Sequence, residues 1–180
     1  ETDWFPRTEA ATNTALGVET TATPSRLEFS LDLKLVSAEI TSNILDFFIA
    51  APTATQTPIR LQLYGNGDVR VRTATSGTTA TVGAGLLSDG AYHTISGVID
   101  YTSETYDIFV DGATTPVIDN RAFLNAGPYA SYGVLRVNTR AAADTAAAGV
   151  NVVAFDNLNF NVPEPATAAV PVSYTHLRAH

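Results

Sequence analysis

Alternation of apolar and polar residues is the strongest pattern in this chain. From Leu27 to Leu35, every odd-numbered residue is apolar and every even-numbered residue is polar. Side chains on a β-strand point to opposite faces in turn, so this period of two predicts a strand with one buried face. Ile59–Tyr64 alternates likewise and leads through a glycine-rich turn into Val69–Thr73, which predicts a β-hairpin. Ile44–Ala50 is almost entirely apolar and predicts a strand buried on both sides.

Further segments of β-type composition account for most of the remaining chain. Residues 75–85 are rich in Gly, Thr and Ala and predict a loop or a poorly patterned strand, and residues 141–149 predict a low-complexity loop. Roughly eight to ten short strands with turn signals between them predict an all-β fold, a two-sheet antiparallel β-sandwich of the jelly-roll type. The other predicted strands are an edge strand near Leu16–Thr21, then Tyr92–Tyr101, Tyr106–Val110, Thr115–Ile118, Tyr132–Asn138 and Val150–Val162, the last bulged near Asp156 and Asn157.

Composition and charge narrow the classes of function. The 180 residues suffice for one well-packed core, and the net charge of −8 repels phosphate backbones, so we expect no nucleic-acid partner. The chain has no cysteine, which excludes disulfides, cysteine-ligated zinc and thiol nucleophiles. It also has no run of about 18 apolar residues that would predict a transmembrane helix.

One stretch resembles the central hairpin of laminin-G-like and other concanavalin A-like domains. In that hairpin a D-G-x-W/Y-H turn opens one strand and the partner strand ends in V-D-G; here these are Asp89–His93 and Val110–Gly112. The resemblance covers about residues 26–160 and implies a concanavalin A-like sandwich. It also implies that Tyr92 and His93 pack and hydrogen-bond the hairpin, a structural role that we favour over a catalytic one.

A second stretch, Asn161–Thr167, resembles the start of the PEP-CTERM sorting signal of exported proteins in biofilm-forming Gram-negative bacteria. The resemblance implies export to the cell envelope, the cell surface or the extracellular matrix, with membrane attachment only through a C-terminal anchor helix that this chain lacks. A stiff proline-rich linker is the alternative. We therefore divide the chain into a sandwich domain over residues 1–161, weakly patterned over 1–24, a truncated sorting segment over 162–169 and a non-native tail over 170–180. The sorting motif consists of Val162, Pro163, Glu164, Pro165 and Ala166.

No sequence motif for catalysis stands out. Hydrolases on such sandwiches place acidic residues close together on one strand face, and the nearest candidates here are Glu28 and Asp32. They share a face, but they lie four residues apart and Lys34 follows them, so a solvated outer face explains them better. On this ground we expect the chain not to be an enzyme, with a glycoside hydrolase or polysaccharide lyase as the alternative.

Candidate ligand-binding residues come from chemistry and from the resemblance. Aromatic residues near turns can stack on sugar rings or cap the core, and Tyr64, Tyr129 and Tyr132 are so placed. The resemblance implies calcium at the sandwich rim, with Asp119, Asn120 and Asp144 as oxygen ligands in loops. The expected function is an exported, non-catalytic module that binds a glycan or an extracellular protein. A purely structural surface or matrix protein is a further alternative, and the sequence leaves the ligand and the oligomeric state open.

Overall fold

The protein is built from strands in two antiparallel sheets. The computed structural model describes residues 13–16, 25–50, 57–125, 127, 129, 135–139 and 151–161, and these ranges contain no helix. The six-stranded sheet has the order β1-β10-β3-β4-β5-β6, and the five-stranded sheet has the order β11-β2-β7-β8-β9. The strands are β1 (Asn13–Leu16), β2 (Arg26–Ser37), β3 (Asn43–Ile49), β4 (Ile59–Tyr64), β5 (Val69–Arg72), β6 (Thr79–Gly83), β7 (His93–Asp100), β8 (Thr105–Val110), β9 (Ile118–Ala122), β10 (Leu135–Thr139) and β11 (Val152–Asn161).

The core lies between the two sheets and is filled mainly by the odd-numbered apolar residues that the alternation predicts. In β2, Leu27, Leu31 and Leu33 are fully buried, and in β4 so are the alternating apolar residues from Ile59 onward. Phe47 of the six-stranded sheet meets Phe155 of the five-stranded sheet edge to face, with ring centroids 6.0 Å apart. The prediction of an all-β, two-sheet antiparallel sandwich is confirmed.

Gly97 permits close packing inside this core. It pairs with Phe29 across the β2–β7 ladder. A Cβ atom added at Gly97 would lie 2.5 Å from the Phe29 ring and 2.6 Å from the backbone oxygen of Asp107. The absence of a side chain therefore lets the phenylalanine lie directly over the neighbouring strand.

At three places the predicted strands depart most from the structure. Residues 79–83 form strand β6, although only Val82 is buried there and no alternation marks the segment. The strand predicted at Thr115–Ile118 instead begins at Ile118 and continues through exposed polar residues to Ala122, because backbone pairing with β8 holds it as a sheet edge. The first strand spans Asn13–Leu16, while residues 17–21 of the predicted edge strand lie outside the described residues.

Among the residues that the structure describes, no helix has the length and apolar character needed to cross a membrane.

Candidate functional site

The outer face of the six-stranded sheet carries polar residues from strand to strand, and we call it the polar face. In β3, β4 and β5 the odd-numbered residues point into the core, so the even-numbered ones form this face. The register aligns one polar position from every strand into a single row, which spans about 24 Å at the usual spacing of about 4.8 Å between strands. The row consists of Asn13, Asn138, Asp46, Gln62, Arg70 and Thr81.

Asp46 is the centre of a hydrogen-bond network on this face. Its side chain is fully buried and lies within the otherwise apolar run Ile44–Ala50. The Nη2 atom of Arg60 lies 2.5 Å from Asp46 Oδ2, and the side-chain amides of Asn43 and Gln62 donate to Oδ1 at 2.9 and 3.0 Å. A register shift between Asn43 and Leu45 in the β3–β4 pairing accompanies this arrangement. Because a buried carboxylate requires charge pairing and hydrogen bonds, these three donors explain how Asp46 is accommodated.

Two arginines of the polar face lie over aromatic rings. The guanidinium carbon of Arg60 is 5.0 Å from the ring centroid of Phe48, and that of Arg70 is 4.4 Å from the ring centroid of Tyr64. Each arginine is thus fixed by a carboxylate and by a ring, since guanidinium groups are attracted to the π face. The planar groups are held in defined orientations along the sheet.

The polar face is more accessible at β5 than at β4. The Arg70 side chain is 34% exposed, whereas that of Arg60 is 13% exposed. Arg70 Nη2 lies 2.6 Å from Asp68 Oδ2, and the backbone N–H of Gly85 donates to Asp68 Oδ1 at 2.7 Å. These two hydrogen bonds, first the one from Arg70, hold the pKa of Asp68 below its usual range. The lowered pKa of Asp68 favours its charged form, so the ion pair holds Arg70 as a fixed cation near the surface.

Some polar atoms of this face lack partners. Within the described residues, Nε of Arg60, Nε of Arg70 and Oδ1 of Asn43 are shielded from solvent and make no hydrogen bond. Each such atom costs about 1–3 kcal/mol of desolvation. The hydrogen bonds of this network therefore leave some of its buried polar atoms unpaired.

The outer face of the five-stranded sheet has a different character. It holds a hollow of about 300 Å³ lined by Glu28, Phe29, Ser30, Asn159, Phe160 and Asn161. Asp32 accepts hydrogen bonds from Thr94 Oγ1 and from Asn157 Nδ2, each at 2.6 Å. Glu28 and Asp32 lie four residues apart along β2, about 13 Å at the usual rise per residue, beyond the roughly 5–10 Å between paired glycosidase carboxylates.

The predicted ligand-binding tyrosines do not come together. Tyr64 lies at the end of β4 beside Arg70. Tyr129 packs edge to face against Tyr101 and Phe123, and its hydroxyl donates to the backbone oxygen of Asn125. Burial raises the pKa of Tyr129, as expected for a phenol packed against the core. Tyr132 lies outside the described residues.

The Tyr129 cluster lies at the opposite end of β4 from Tyr64. The backbone N–H of Leu124, next to Phe123, donates to the oxygen of Pro58, which precedes β4. The five residue steps along β4 place Tyr64 about 17 Å from that end of the strand.

The predicted calcium ligands occupy a strand instead of a loop. Asp119 and Asn120 belong to β9, and the backbone N–H of Asn120 donates to Asp107 Oδ1 at 2.6 Å where the β8–β9 register is irregular. The described part of the chain contains no group of three or more His, Cys, Asp or Glu side chains suited to a metal ion. Asp144 lies outside that part, as do residues 162–166 of the predicted sorting motif, so both proposals remain predictions.

His93 joins the two turns of the hairpin motif. Its Nδ1 lies 2.8 Å from Asp111 Oδ2, and its Nε2 lies 3.2 Å from both carboxylate oxygens of Asp89. The hydrogen bond to Asp111, and less strongly the one to Asp89, raise the pKa of His93. Both ring nitrogens are therefore engaged, and the imidazole is held as a link between the turns.

Only structure comparison, and not sequence comparison, finds known proteins similar to this chain. No protein-family model matches this sequence, and no curated protein is significantly similar to it. Among solved structures, the chain is similar to part of a sialidase, with 17% identity and a TM-score of 0.56 over 79% of this chain. It is also similar to a carbohydrate esterase from the Shiga toxin-encoding bacteriophage phi24B, with 14% identity, a TM-score of 0.50, and coverage of 89% of this chain and 90% of that one. The chain spans only 14% of the sialidase.

The expectation that the chain is not an enzyme is wrong. It depends on the lack of a recognisable catalytic motif, yet this sandwich shares its fold with a chain named as a carbohydrate esterase along nearly the whole of that chain's length. Part of a sialidase has the same fold. The missing motif is therefore no ground for excluding catalysis.

Proposed function

We propose that the chain is a carbohydrate-binding β-sandwich module of the concanavalin A-like type and that the polar face holds the ligand. The observation that carries this proposal is the accessible part of the polar face at β5, where Arg70 is held by Asp68 and by the ring of Tyr64 and keeps 34% of its side chain exposed. The middle of the row, Asp46 and Gln62, is buried. Sugars present many hydroxyl groups that both donate and accept hydrogen bonds, and such mixed donors and acceptors match them.

The composition of this accessible part supports a sugar ligand. The ring of Tyr64 lies against Arg70 and is only half-buried, so it adds apolar surface beside the polar groups, whereas Phe48 is buried and adds none. Ligand sites of this kind combine aromatic surface with a few oriented polar groups.

The fold comparisons support the carbohydrate class. The two similar structures are named as a sialidase and a carbohydrate esterase. The sialidase match covers a small part of that enzyme, which suits a module that serves a larger protein. The hairpin motif around His93, with its paired turns, supports assignment to the concanavalin A-like type.

A glycan array tests the proposal, followed by titration of the hits with face-specific variants. We expect Arg70→Gln on the polar face to weaken binding, because it removes the most accessible fixed cation there. Glu28→Gln changes the hollow of the five-stranded sheet instead and should leave binding intact. Arg121→Gln, on the exposed edge strand β9, is the matched control for the loss of an arginine.

The outcomes separate the possibilities. Loss of binding in Glu28→Gln with none in Arg70→Gln would move the site to the hollow and overturn our assignment. No binding by any glycan at millimolar protein would overturn the proposed function. The array hits are also incubated with the protein and analysed for released sugar or acid, which shows whether the module cleaves what it binds.

We also propose export to the cell surface or extracellular matrix of a Gram-negative bacterium, which the resemblance of residues 161–167 to a sorting signal supports. Detection of the native protein by antibody in surface and culture fractions tests this. A protein confined to the cytosol would contradict it.

A further inference from the structure

We infer that the glycan bound at the polar face is anionic and carries carboxylate or sulfate groups. This inference rests on the proposed function and names the class of ligand for the same site. It rests on the uneven distribution of charge between the two outer faces of the sandwich and on the contacts of Arg70 with Asp68 and Tyr64.

Cations outnumber acidic residues on the described part of the polar face although the chain as a whole is acidic. The sequence has 10 Lys and Arg residues against 18 Asp and Glu residues. On this face the described cations are Arg60, Arg70 and Arg72. The acidic residues among its described positions are Asp46 and Asp68, so three cations stand against two acidic residues.

The opposite outer face has the reverse balance. In strands β2, β7, β8 and β11 of the five-stranded sheet, the outward positions hold five acidic residues and two cations, namely Glu28, Asp32, Asp100, Asp107 and Asp156 against Arg26 and Lys34. An anionic polymer is therefore repelled from one face and attracted to the other. Such an arrangement steers a charged ligand toward one docking surface and gives an association that depends on salt.

Arg70 is positioned to bind an anion. Its contact with Asp68 and its stacking on Tyr64 fix the plane of the guanidinium, while a third of the side chain remains exposed. A guanidinium has five N–H donors in a planar fork that matches the oxygens of carboxylate and sulfate groups. In Arg70, Nε is shielded from solvent and Nη2 is bound to Asp68, so a ligand would be bound by the remaining exposed donors. Because the guanidinium is already oriented, little side-chain entropy is lost when they engage a ligand.

A neutral sugar would stabilise the arginines of this face less than an anionic one. Taking a guanidinium partly out of water is unfavourable, and a hydroxyl acceptor compensates that loss less well than an anion does. Hydrogen bonds to charged groups contribute about 1.5–3 kcal/mol, against about 1 kcal/mol for neutral ones. An anionic ligand would therefore bind this face more strongly than a neutral ligand of the same shape.

Two matched pairs of polymers test the inference beside the array. Polygalacturonate is compared with its methyl ester, and dextran sulfate with dextran, by calorimetry at low and at high sodium chloride. We expect roughly tenfold or greater preference for at least one anionic member, a preference that shrinks as salt rises. Arg70→Gln should remove most of this preference, Arg70→Lys should retain part of it, and Arg121→Gln should retain all of it.

The failure of the inference can be told apart from the failure of the proposed function. Array hits that are neutral glycans only, bound equally at all salt concentrations, would overturn the anionic ligand and leave carbohydrate binding in place. Preference for the anionic polymer that survives unchanged in Arg70→Gln would overturn the role of this face. Absence of binding to every glycan and to both pairs would overturn both proposals.

Discussion

Removal of the Asp46 carboxylate should strongly destabilise the protein. Asp46 is fully buried, and its partner Arg60 has a side chain that is only 13% exposed. Asp46→Ala would leave this guanidinium and the amide donors of Asn43 and Gln62 without their acceptor. Breaking a buried ion pair by removal of one partner costs about 3–5 kcal/mol. We therefore predict a loss of roughly 4 kcal/mol, a large part of the about 5–15 kcal/mol that stabilises a typical domain.

Urea unfolding at pH 7 and thermal unfolding measure this loss. At about 2–4 °C per kcal/mol for a domain of this size, Asp46→Ala should lower Tm by roughly 8–16 °C. Asp119→Ala, on an exposed strand position, is the control and should change the free energy of unfolding by about 0.5 kcal/mol or less. A loss below about 1 kcal/mol in Asp46→Ala would refute the view that the network depends on a buried charge pair.

Three further substitutions test other parts of the packing. Gly97→Ala places a Cβ atom against Phe29 and a backbone oxygen and should destabilise by about 1–3 kcal/mol in urea unfolding, and an unchanged midpoint would contradict that packing. The Tyr106 hydroxyl is buried without a hydrogen-bond partner among the described residues, and burial raises the pKa of Tyr106 to about 12. Tyr106→Phe should thus be neutral or stabilising by about 1 kcal/mol, and a clear loss of stability would reveal a partner for the hydroxyl. His93 has a raised pKa because of its bond to Asp111, so its contribution is complete below its unfolded pKa of about 6.5 and disappears as pH rises through the folded value. The Tm difference between wild type and His93→Gln should shrink as pH rises above about 6.5, and a constant difference would show that charge plays no part.

The strands that could be predicted are those with a buried face of their own. In β2 and in the β4–β5 hairpin, the period of two is set by residues that fill the core, so the pattern and the structure have the same cause. Strands β6 and β9 bury few side chains, Val82 and Ile118 being their buried residues, and backbone pairing with a neighbour is what holds them. Such pairing depends on a partner elsewhere in the chain and leaves no local pattern.

The polar face escaped sequence reasoning for a related reason. Alternation shows that Arg60 and Gln62 point away from the core, but a solvated surface explains that equally well. What distinguishes the face is the register, which aligns residues from strands distant in sequence, and register cannot be inferred from a single strand. One local signal was available: Asp46 is the single charged residue of the apolar run Ile44–Ala50, and a carboxylate in a buried strand requires partners.

Stability alone does not explain why Asp46 and Arg60 are buried as an ion pair, and a double variant tests whether the pair contributes to ligand binding. Replacing both members of a buried ion pair with apolar residues of similar size is often neutral or stabilising by about 1–4 kcal/mol. The double variant Asp46→Leu/Arg60→Met should therefore recover the part of the stability lost in Asp46→Ala that comes from the unpaired guanidinium, while the amides of Asn43 and Gln62 stay without their acceptor. If the pair instead orients the polar groups of the face for a ligand, the same double variant should fold with a Tm above that of Asp46→Ala and bind glycan at least roughly tenfold more weakly than wild type. A stable double variant with unchanged affinity would show that the network supports the sheet and takes no part in recognition.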